Sequence, residues 1–160
     1  MITFAVEPWS KVWPEMPALW EEHWREVALN HDVIKLEPDI VAYNALERAG
    51  LLHVLVARAA GDIIGYYIAI VQPHLHYRSS LSAMTDVYFI RAKYRRPRTA
   101  LNFFRQVEAS LVARGVQKIF TATKLHTSPD GRVLDHGRLF RFLGYTESER
   151  VFTKIIGKPR

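Results

Sequence analysis

The sequence predicts an α/β fold in which a mixed sheet carries helices. Residues 51–60 and 62–71 are rich in Val, Ile, Leu and Tyr, and a tight turn at Ala60-Gly61-Asp62 joins them. These two runs predict a β-hairpin. Apolar residues then recur at helical spacing from Thr99 to Arg114, which predicts a long amphipathic helix packed on the sheet.

One strand and two helices are predicted ahead of the hairpin. They are residues 2–7, 14–29 and 38–49. The strand alternates apolar and polar residues and ends at Pro8. The first helix carries Trp20 and Trp24 on one face, where core packing is the favoured interpretation. The second begins at Pro38, which suits a first helical position, and ends before Gly50.

The part of the chain after the hairpin is predicted to alternate strands with helices. In order, it has a connection at 72–82, a strand at 82–91, a helix at 99–114, a strand at 116–123, a loop at 124–136, a helix at 137–143 and a strand at 150–156. Gly115 and Gly144 mark the ends of the two helices. Without a repeat or a linker, this β-α-α-β-β-β-α-β-α-β order predicts a single domain over residues 1–160.

Composition excludes several classes of function. The absence of cysteine removes disulfides, thiolate catalysis and Cys-ligated zinc, and it suits a reducing compartment. The start of the chain lacks the pattern of a signal peptide, and the longest apolar run, 63–71, is far shorter than a membrane span. We therefore expect a cytoplasmic protein that has no membrane partner.

The net charge of +6 is concentrated in one loop. Five of the 22 basic residues lie within eight positions, and the other 17 nearly balance the 16 acidic residues. The five are Arg91, Lys93, Arg95, Arg96 and Arg98. They lie between the strand at 82–91 and the helix that follows, where positive charge and helix N-terminal amides suit an anion. A solvated basic loop is the alternative, and a nucleotide-like cofactor or a nucleic acid is the partner class that such a patch favours.

This order of elements, with an arginine-rich loop after the fourth strand, resembles the GCN5-related N-acetyltransferases. The family's loop signature is Arg or Gln, two residues, Gly, one residue, then Gly or Ala. Residues 95–100, Arg-Arg-Pro-Arg-Thr-Ala, match it with Arg98 at the Gly position and Tyr94 at a preceding aromatic position. Gly65 in the hairpin and the run Leu139–Tyr145 resemble two further family motifs. The resemblance covers nearly the whole chain.

The resemblance implies a mixed, mostly antiparallel sheet of six to seven strands, with about four helices and splayed fourth and fifth strands. It also implies a cofactor, acetyl-CoA, acting as cosubstrate. A bulge in the fourth strand is expected near Phe89, Ile90 and Arg91, where the backbone would bind pantetheine. The pyrophosphate would contact the loop and its amides, through Arg95, Arg96, Pro97, Arg98, Thr99 and Ala100.

The resemblance indicates the catalytic residues less directly than the cofactor-binding residues. Asp86 lies on the fourth strand near the position where many family members have a Glu, so it is the candidate base or proton relay; a turn-capping Asp is the alternative. His126 and Tyr94 are further candidates. Phe140 stands where many members have the Tyr that donates a proton to the thiolate. That role remains open among Tyr94, Tyr88, Ser128 and His136.

The acceptor side is predicted only broadly. His74, His76 and Tyr77 would contact the substrate, although exposed loop residues are the favoured alternative for the two histidines. A metal site built on these histidines lacks a carboxylate cluster, so no metal is expected.

The function predicted is acetyl transfer from acetyl-CoA to a primary amine, by direct attack in a ternary complex, in a phage or bacterial type of enzyme. The amine could belong to a small molecule, a protein or a nucleic acid, and a homodimer is possible for this family. The alternative is a catalytically weakened module that binds CoA or nucleic acid.

Overall fold

In the computed structural model, which describes residues 1–124 and 137–157 and the backbone of 126–127 and 133–134, a five-stranded sheet carries helices on both faces. The strands, in spatial and chain order, are β1 (Ile2–Val6), β2 (Leu52–Ala59), β3 (Asp62–His74), β4 (Tyr77–Ile90) and β5 (Lys118–Phe120). The first four are antiparallel neighbours, whereas β5 runs parallel to β4. Residues 126–127 (β6) and 133–134 (β7) pair separately as two short strands.

Five α-helices cover the sheet. They are α1 (Trp9–Val12), α2 (Pro17–Val27), α3 (Ile40–Arg48), α4 (Pro97–Ala113) and α5 (Gly137–Phe142). Short 3₁₀ turns at Trp13–Glu15 and Ala92–Tyr94 precede α2 and α4. The helices α2 and α4 each begin with a proline, which lacks the N–H that a first helical residue would leave unpaired. α4 ends where Gly115 adopts a φ of 84° and the Val116 amide donates to the Leu111 carbonyl at 3.0 Å.

The core forms two layers because β3 is buried on both faces. One layer packs Ile64 and Tyr67 against Phe103 and the other apolar residues of α4. The other layer packs Tyr66 and neighbouring residues against Trp9 and the rest of α1, α2 and α3. The sheet is therefore covered by the amino-terminal helices on one face and by α4 and α5 on the other.

Several predicted boundaries are wrong. The strand predicted at 150–156 is not found. These described residues have no regular secondary structure, and Val151 and Phe152 are exposed. The sheet has five strands, so the six to seven expected are not found in it. The predicted connection at 72–82 is mostly strand, because β3 and β4 continue into one long hairpin that turns at Leu75 and His76. The helix predicted at 14–29 is also shorter than predicted, since α2 covers only Pro17–Val27.

Gly65 is required by a close approach between strands. A β-carbon at this position would lie 2.7 Å from the Phe89 carbonyl oxygen and 3.0 Å from a side-chain carbon of Ile90. Larger residues would therefore push β4 away from β3. Gly65 thereby sets the separation of these strands beside the loop at 91–98.

Candidate functional site

Beyond a short stretch of pairing with β5, β4 has an edge without a strand partner among the described residues, and we call this edge region the slot. The two strands pair at three positions, from Ser82–Lys118 to Met84–Phe120, after which β4 continues for six residues to Ile90 without β5 as a partner. The Tyr88 hydroxyl crosses this gap and donates to the Ala122 carbonyl at 3.1 Å. The predicted splaying of the fourth and fifth strands stays a prediction, since β5 ends at Phe120.

Asp86 lies on a β-bulge, in the part of β4 beyond its pairing with β5. Val87 pairs with Ile68 and Thr85 pairs with Ala69, so Asp86 is the extra residue on β4. Its side chain is exposed. The expected position of the bulge, near residues 89–91, is therefore wrong by about three residues, because pairing with β3 is regular from Val87 to Ile90.

Tyr43, on α3, donates a hydrogen bond from its hydroxyl to Oδ2 of Asp86. The Tyr43 ring lies 4.4 Å from the ring of Trp9, which is fully buried. Burial, followed by the hydrogen bond and the negative charge of Asp86, raises the pKa of Tyr43 well above its usual range. The phenol therefore stays protonated and remains a donor to the carboxylate.

A second polar pair lies on the same face of the sheet. His23, on α2, has Nδ1 2.6 Å from the Tyr66 hydroxyl, and its ring stacks on Phe89 at 4.7 Å. Burial and then the charge of Lys124 lower the pKa of His23 to about 4, so the imidazole is neutral at neutral pH. Burial, with smaller contributions from Tyr43 and Asp86, raises the pKa of Tyr66. Near Asp86, the structure thus places two protonated phenols and a neutral imidazole.

Two of the loop arginines are held by α2. The Arg91 guanidinium bonds Glu22 at 2.8 Å, and that of Arg95 bonds Glu26 at 2.7 Å. Arg95 also donates to the Ile90 carbonyl and lies 4.9 Å above the Phe89 ring. These arginines connect the loop to α2.

The other three loop cations are exposed at the start of α4, and no ion pair joins them to a described residue. They are Lys93, Arg96 and Arg98. Arg96 precedes the helix without a side-chain cap, and Pro97 has no N–H. The amides of Arg98 and Thr99 lie in the first turn, where a helix leaves its donors without intrahelical acceptors. The Ala100 amide is already used, since it donates to the Arg96 carbonyl at 3.0 Å.

The proton-donor candidates are placed differently. Tyr94 lies in a 3₁₀ turn, half-buried against the α4 core, with Lys93 over its ring at 5.0 Å. Tyr88 contacts Phe140 edge to face at 6.0 Å. Burial raises the pKa of Tyr88 to about 12. Tyr88 is therefore the candidate whose hydroxyl the structure places across the slot, whereas Ser128 and His136 lie outside the described residues.

His74, His76 and Tyr77 are far from this site. They form the tip of the β3–β4 hairpin, and Tyr77 is 66% exposed. Tyr77 and Asp86 are nine positions apart along β4, roughly 30 Å of extended strand. The structure does not bring these residues to the slot. The backbone of His126 belongs to β6, and its side chain lies outside the described residues.

Sequence reasoning missed the residues that surround Asp86. Tyr43, Tyr66 and His23 belong to three different elements, and only Tyr66, next to Gly65 in the hairpin, adjoins a motif that the sequence suggested. Their proximity depends on how α2 and α3 pack on the sheet. Across the residues that the structure describes, no group of three or more His, Asp or Glu side chains could hold a metal ion. In the same residues, every helix falls short of the length and apolarity that a membrane span needs.

A separate cavity of about 610 Å³ lies between β2 and the end of α4. His53 lines it, with Nε2 2.9 Å from the Ser110 hydroxyl, and Ser110 donates to the Val107 carbonyl at 2.8 Å. Burial and then the charge of Arg114 lower the pKa of His53 to about 4. Because the Ser110 hydrogen is committed to the backbone, this pair connects β2 to α4 as a structural contact.

The shape of the chain is shared with solved acetyltransferases. A ribosomal-protein-alanine N-acetyltransferase from Brucella melitensis biovar Abortus 2308 matches with a TM-score of 0.72 at 14% identity, over 99% of each chain. An aminoglycoside acetyltransferase, HMB0005, from an uncultured soil metagenomic sample matches with a TM-score of 0.71 at 15% identity, over 98% of this chain and 99% of its own.

A third similar structure is a predicted acetyltransferase from Clostridium acetobutylicum, solved with acetyl-CoA. Its TM-score is 0.62 at 13% identity, over 97% of this chain and 96% of its own. No protein-family model matches the chain, and no curated protein matches it in sequence. The likeness to these three structures is one of fold, and it confirms the fold that the order of elements and the loop motif predicted.

Proposed function

We propose that this chain, which has the fold of the GCN5-related N-acetyltransferases, transfers the acetyl group of acetyl-CoA to a primary amine. The observation that carries the proposal is the slot between β4 and β5. Along it lies an exposed carboxylate, Asp86, and the loop after β4 adds three exposed cations that form no ion pair with a described residue, together with the first-turn amides of α4. An anionic, extended cosubstrate fits this arrangement.

The loop suits the phosphates of acetyl-CoA. Arg96 and Arg98 would bind the pyrophosphate together with the amides of Arg98 and Thr99, and Lys93 would meet a further phosphate. The helix N-terminus adds positive potential at the same place. Arg91 and Arg95 would act indirectly, by holding α2 against the loop. The backbone near Phe89 and Ile90 would bind the pantetheine amides through groups other than the Ile90 carbonyl, which already accepts from Arg95.

Acetyl-CoA supplies a thioester whose carbonyl carbon the amine nitrogen attacks, with loss of the thiolate. Asp86 would accept the proton of the ammonium group, directly or through a water molecule. Tyr88 remains protonated at neutral pH, but its hydroxyl hydrogen is committed to the Ala122 carbonyl, so the proton donor to the thiolate stays open. Because the chain has no cysteine, direct attack within a ternary complex is favoured over an acetyl-cysteine intermediate.

The absence of cysteine removes the protein's own background from an assay of thiol release. A thiol reagent added to the protein, acetyl-CoA and a panel of primary amines reports only free CoA, because the protein has no thiol. We expect amine-dependent thiol release by the wild type. Arg96→Glu with Arg98→Glu should weaken acetyl-CoA binding at least 100-fold in calorimetry, because two attractive charges become repulsive.

The matched control is Arg105→Glu with Lys118→Glu, which makes the same change of charge at two exposed positions outside the loop. This control should bind acetyl-CoA nearly as the wild type does. Equal affinity in the loop variant and the wild type would overturn the loop assignment. Tight acetyl-CoA binding without turnover on any amine would instead support the alternative function, a CoA-binding module.

A further inference from the structure

The carboxylate of Asp86 has a dedicated hydrogen-bond donor on a different element. Asp86 is exposed on a bulge of β4, so packing alone does not fix its side chain. The Tyr43 hydroxyl, from α3, donates to Oδ2. No described residue donates to Oδ1, which leaves that oxygen available to a ligand in the slot.

Tyr43 is itself held firmly. Its ring packs 4.4 Å from Trp9, which is fully buried, and Trp9 in turn stacks on Trp20 at 5.9 Å. The start of α3 is capped by Asp39, whose carboxylate accepts from the Ala42 amide at 2.9 Å. The Tyr43 amide continues the helix by donating to the Asp39 carbonyl at 3.0 Å. A donor fixed by packing therefore meets an exposed acceptor.

The described groups around Asp86 are neutral or are paired with other residues. Tyr43 faces it from α3 and Tyr66 from β3, and burial keeps both phenols protonated. On α2, the neutral ring of His23 pairs with Tyr66. Glu26, the carboxylate close to His23, is paired with Arg95. Among the residues that the structure describes, Asp86 is thus the carboxylate of this group beside the slot that is not paired with a cation.

We propose that Tyr43 is the positioning residue for Asp86. Its hydroxyl holds Oδ2 so that Oδ1 faces the acceptor amine and takes its proton. The inference rests on the proposed function, in which Asp86 serves as the base. A carboxylate held in one orientation serves proton transfer better than one that rotates in solvent, since a small misplacement of a catalytic group lowers the rate strongly.

A purely structural role for the same hydrogen bond makes a different prediction. If Tyr43 only connected α3 to β4, its loss would lower the melting temperature and change turnover only through the amount of folded protein. If Tyr43 acts through Asp86, its loss lowers kcat in the folded protein. In that case the loss should also disappear once Asp86 itself is neutralised.

The test compares Tyr43→Phe, Asp86→Asn and the double variant in the thiol-release assay with the best amine of the panel. We expect kcat to fall about 10- to 100-fold for Tyr43→Phe and about 10²- to 10⁴-fold for Asp86→Asn. The double variant should match Asp86→Asn. The KM for acetyl-CoA should stay unchanged throughout, because the phosphate loop is intact. Tyr77→Phe, at the hairpin tip, removes an exposed hydroxyl and is the matched control.

Three outcomes overturn the inference. One is an unchanged kcat in Tyr43→Phe. Another is a fall in kcat of the same factor whether Asp86 or Asn occupies position 86, which would mean that Tyr43 acts independently. The third is a wild type that binds acetyl-CoA but acetylates no amine, which removes the proposed function as well. The first two leave the proposed function intact, so the two failures are distinguishable.

Discussion

Four arginines of the loop after β4 divide into an anchored pair and a free pair, although all lie within eight positions of sequence. Arg91 and Arg95 reach carboxylates of α2, 69 residues earlier in the chain, whereas Arg96 and Arg98 are exposed at the start of α4. The difference arises from spacing. The anchored arginines are four residues apart and so are their partners, which lie one turn apart on α2.

The comparison shows that charge counted along a loop is not the charge presented to a ligand. Five cations suggest a strongly basic patch, but the two ion pairs with Glu22 and Glu26 leave three. The anchored pair connects the loop to the helix that carries His23. One helix, α2, therefore contacts both the basic loop and the Tyr66 hydroxyl near Asp86.

The largest expected effect is on the free energy of unfolding. It depends on pH and concerns His23 on α2, the helix that holds Arg91 and Arg95. The pKa of His23 is about 4 in the folded protein and near 6.5 when unfolded, so the unfolded state binds more protons between these values. Stability is complete above about pH 6.5 and falls as the pH decreases toward 4. For a partly exposed group we expect a loss of about 2 kcal/mol.

Urea denaturation at pH 7.5 and pH 4.5 measures this dependence. His23→Gln keeps a hydrogen-bond acceptor for Tyr66 and should reduce the dependence on pH. The remaining dependence belongs in part to His53, whose pKa is also lowered to about 4. An equal loss of stability in the wild type and in His23→Gln would contradict the prediction.

A smaller effect separates the two pairs of arginines directly. Arg98→Gln should weaken acetyl-CoA binding about tenfold, as expected for one charge-assisted hydrogen bond. Arg95→Gln should change the affinity less than twofold, because its guanidinium is occupied by Glu26 and the Ile90 carbonyl. Calorimetry with acetyl-CoA measures both. A greater loss of affinity for Arg95→Gln than for Arg98→Gln would reverse the assignment.

The smallest expected effect is on the free energy of unfolding, and it concerns the two ion pairs that join the loop to α2. Glu22→Gln with Glu26→Gln should lower the free energy of unfolding by about 1 kcal/mol, because these ion pairs are partly exposed and screened. Glu21→Gln is the matched control, since Glu21 pairs with Arg25 inside α2 at 2.7 Å and does not reach the loop. Thermal or urea unfolding that shows the same change in both proteins would contradict an anchoring role.

Much of the fold was predictable because its signals are local. The apolar hairpin, the amphipathic α4 and the glycine at its end depend on residues close in sequence, and the structure has all three. The strand at 150–156 was predicted on the same local grounds and is not found there. A strand needs a partner as well as a propensity, and in the described residues this segment pairs with none.

The sequence alone determined the components of the site: a carboxylate on the fourth strand, a cationic loop and a helix that begins at that loop. The tertiary structure decided which components meet. Tyr43 reaches Asp86 across 43 residues, and His23 reaches Tyr66 across the same separation. These contacts follow from how α2 and α3 pack on the sheet, and the bulge at Asp86 follows from the register of β4 on β3. The residues around any one of these positions do not determine the packing or the register, because both depend on contacts between segments far apart in sequence.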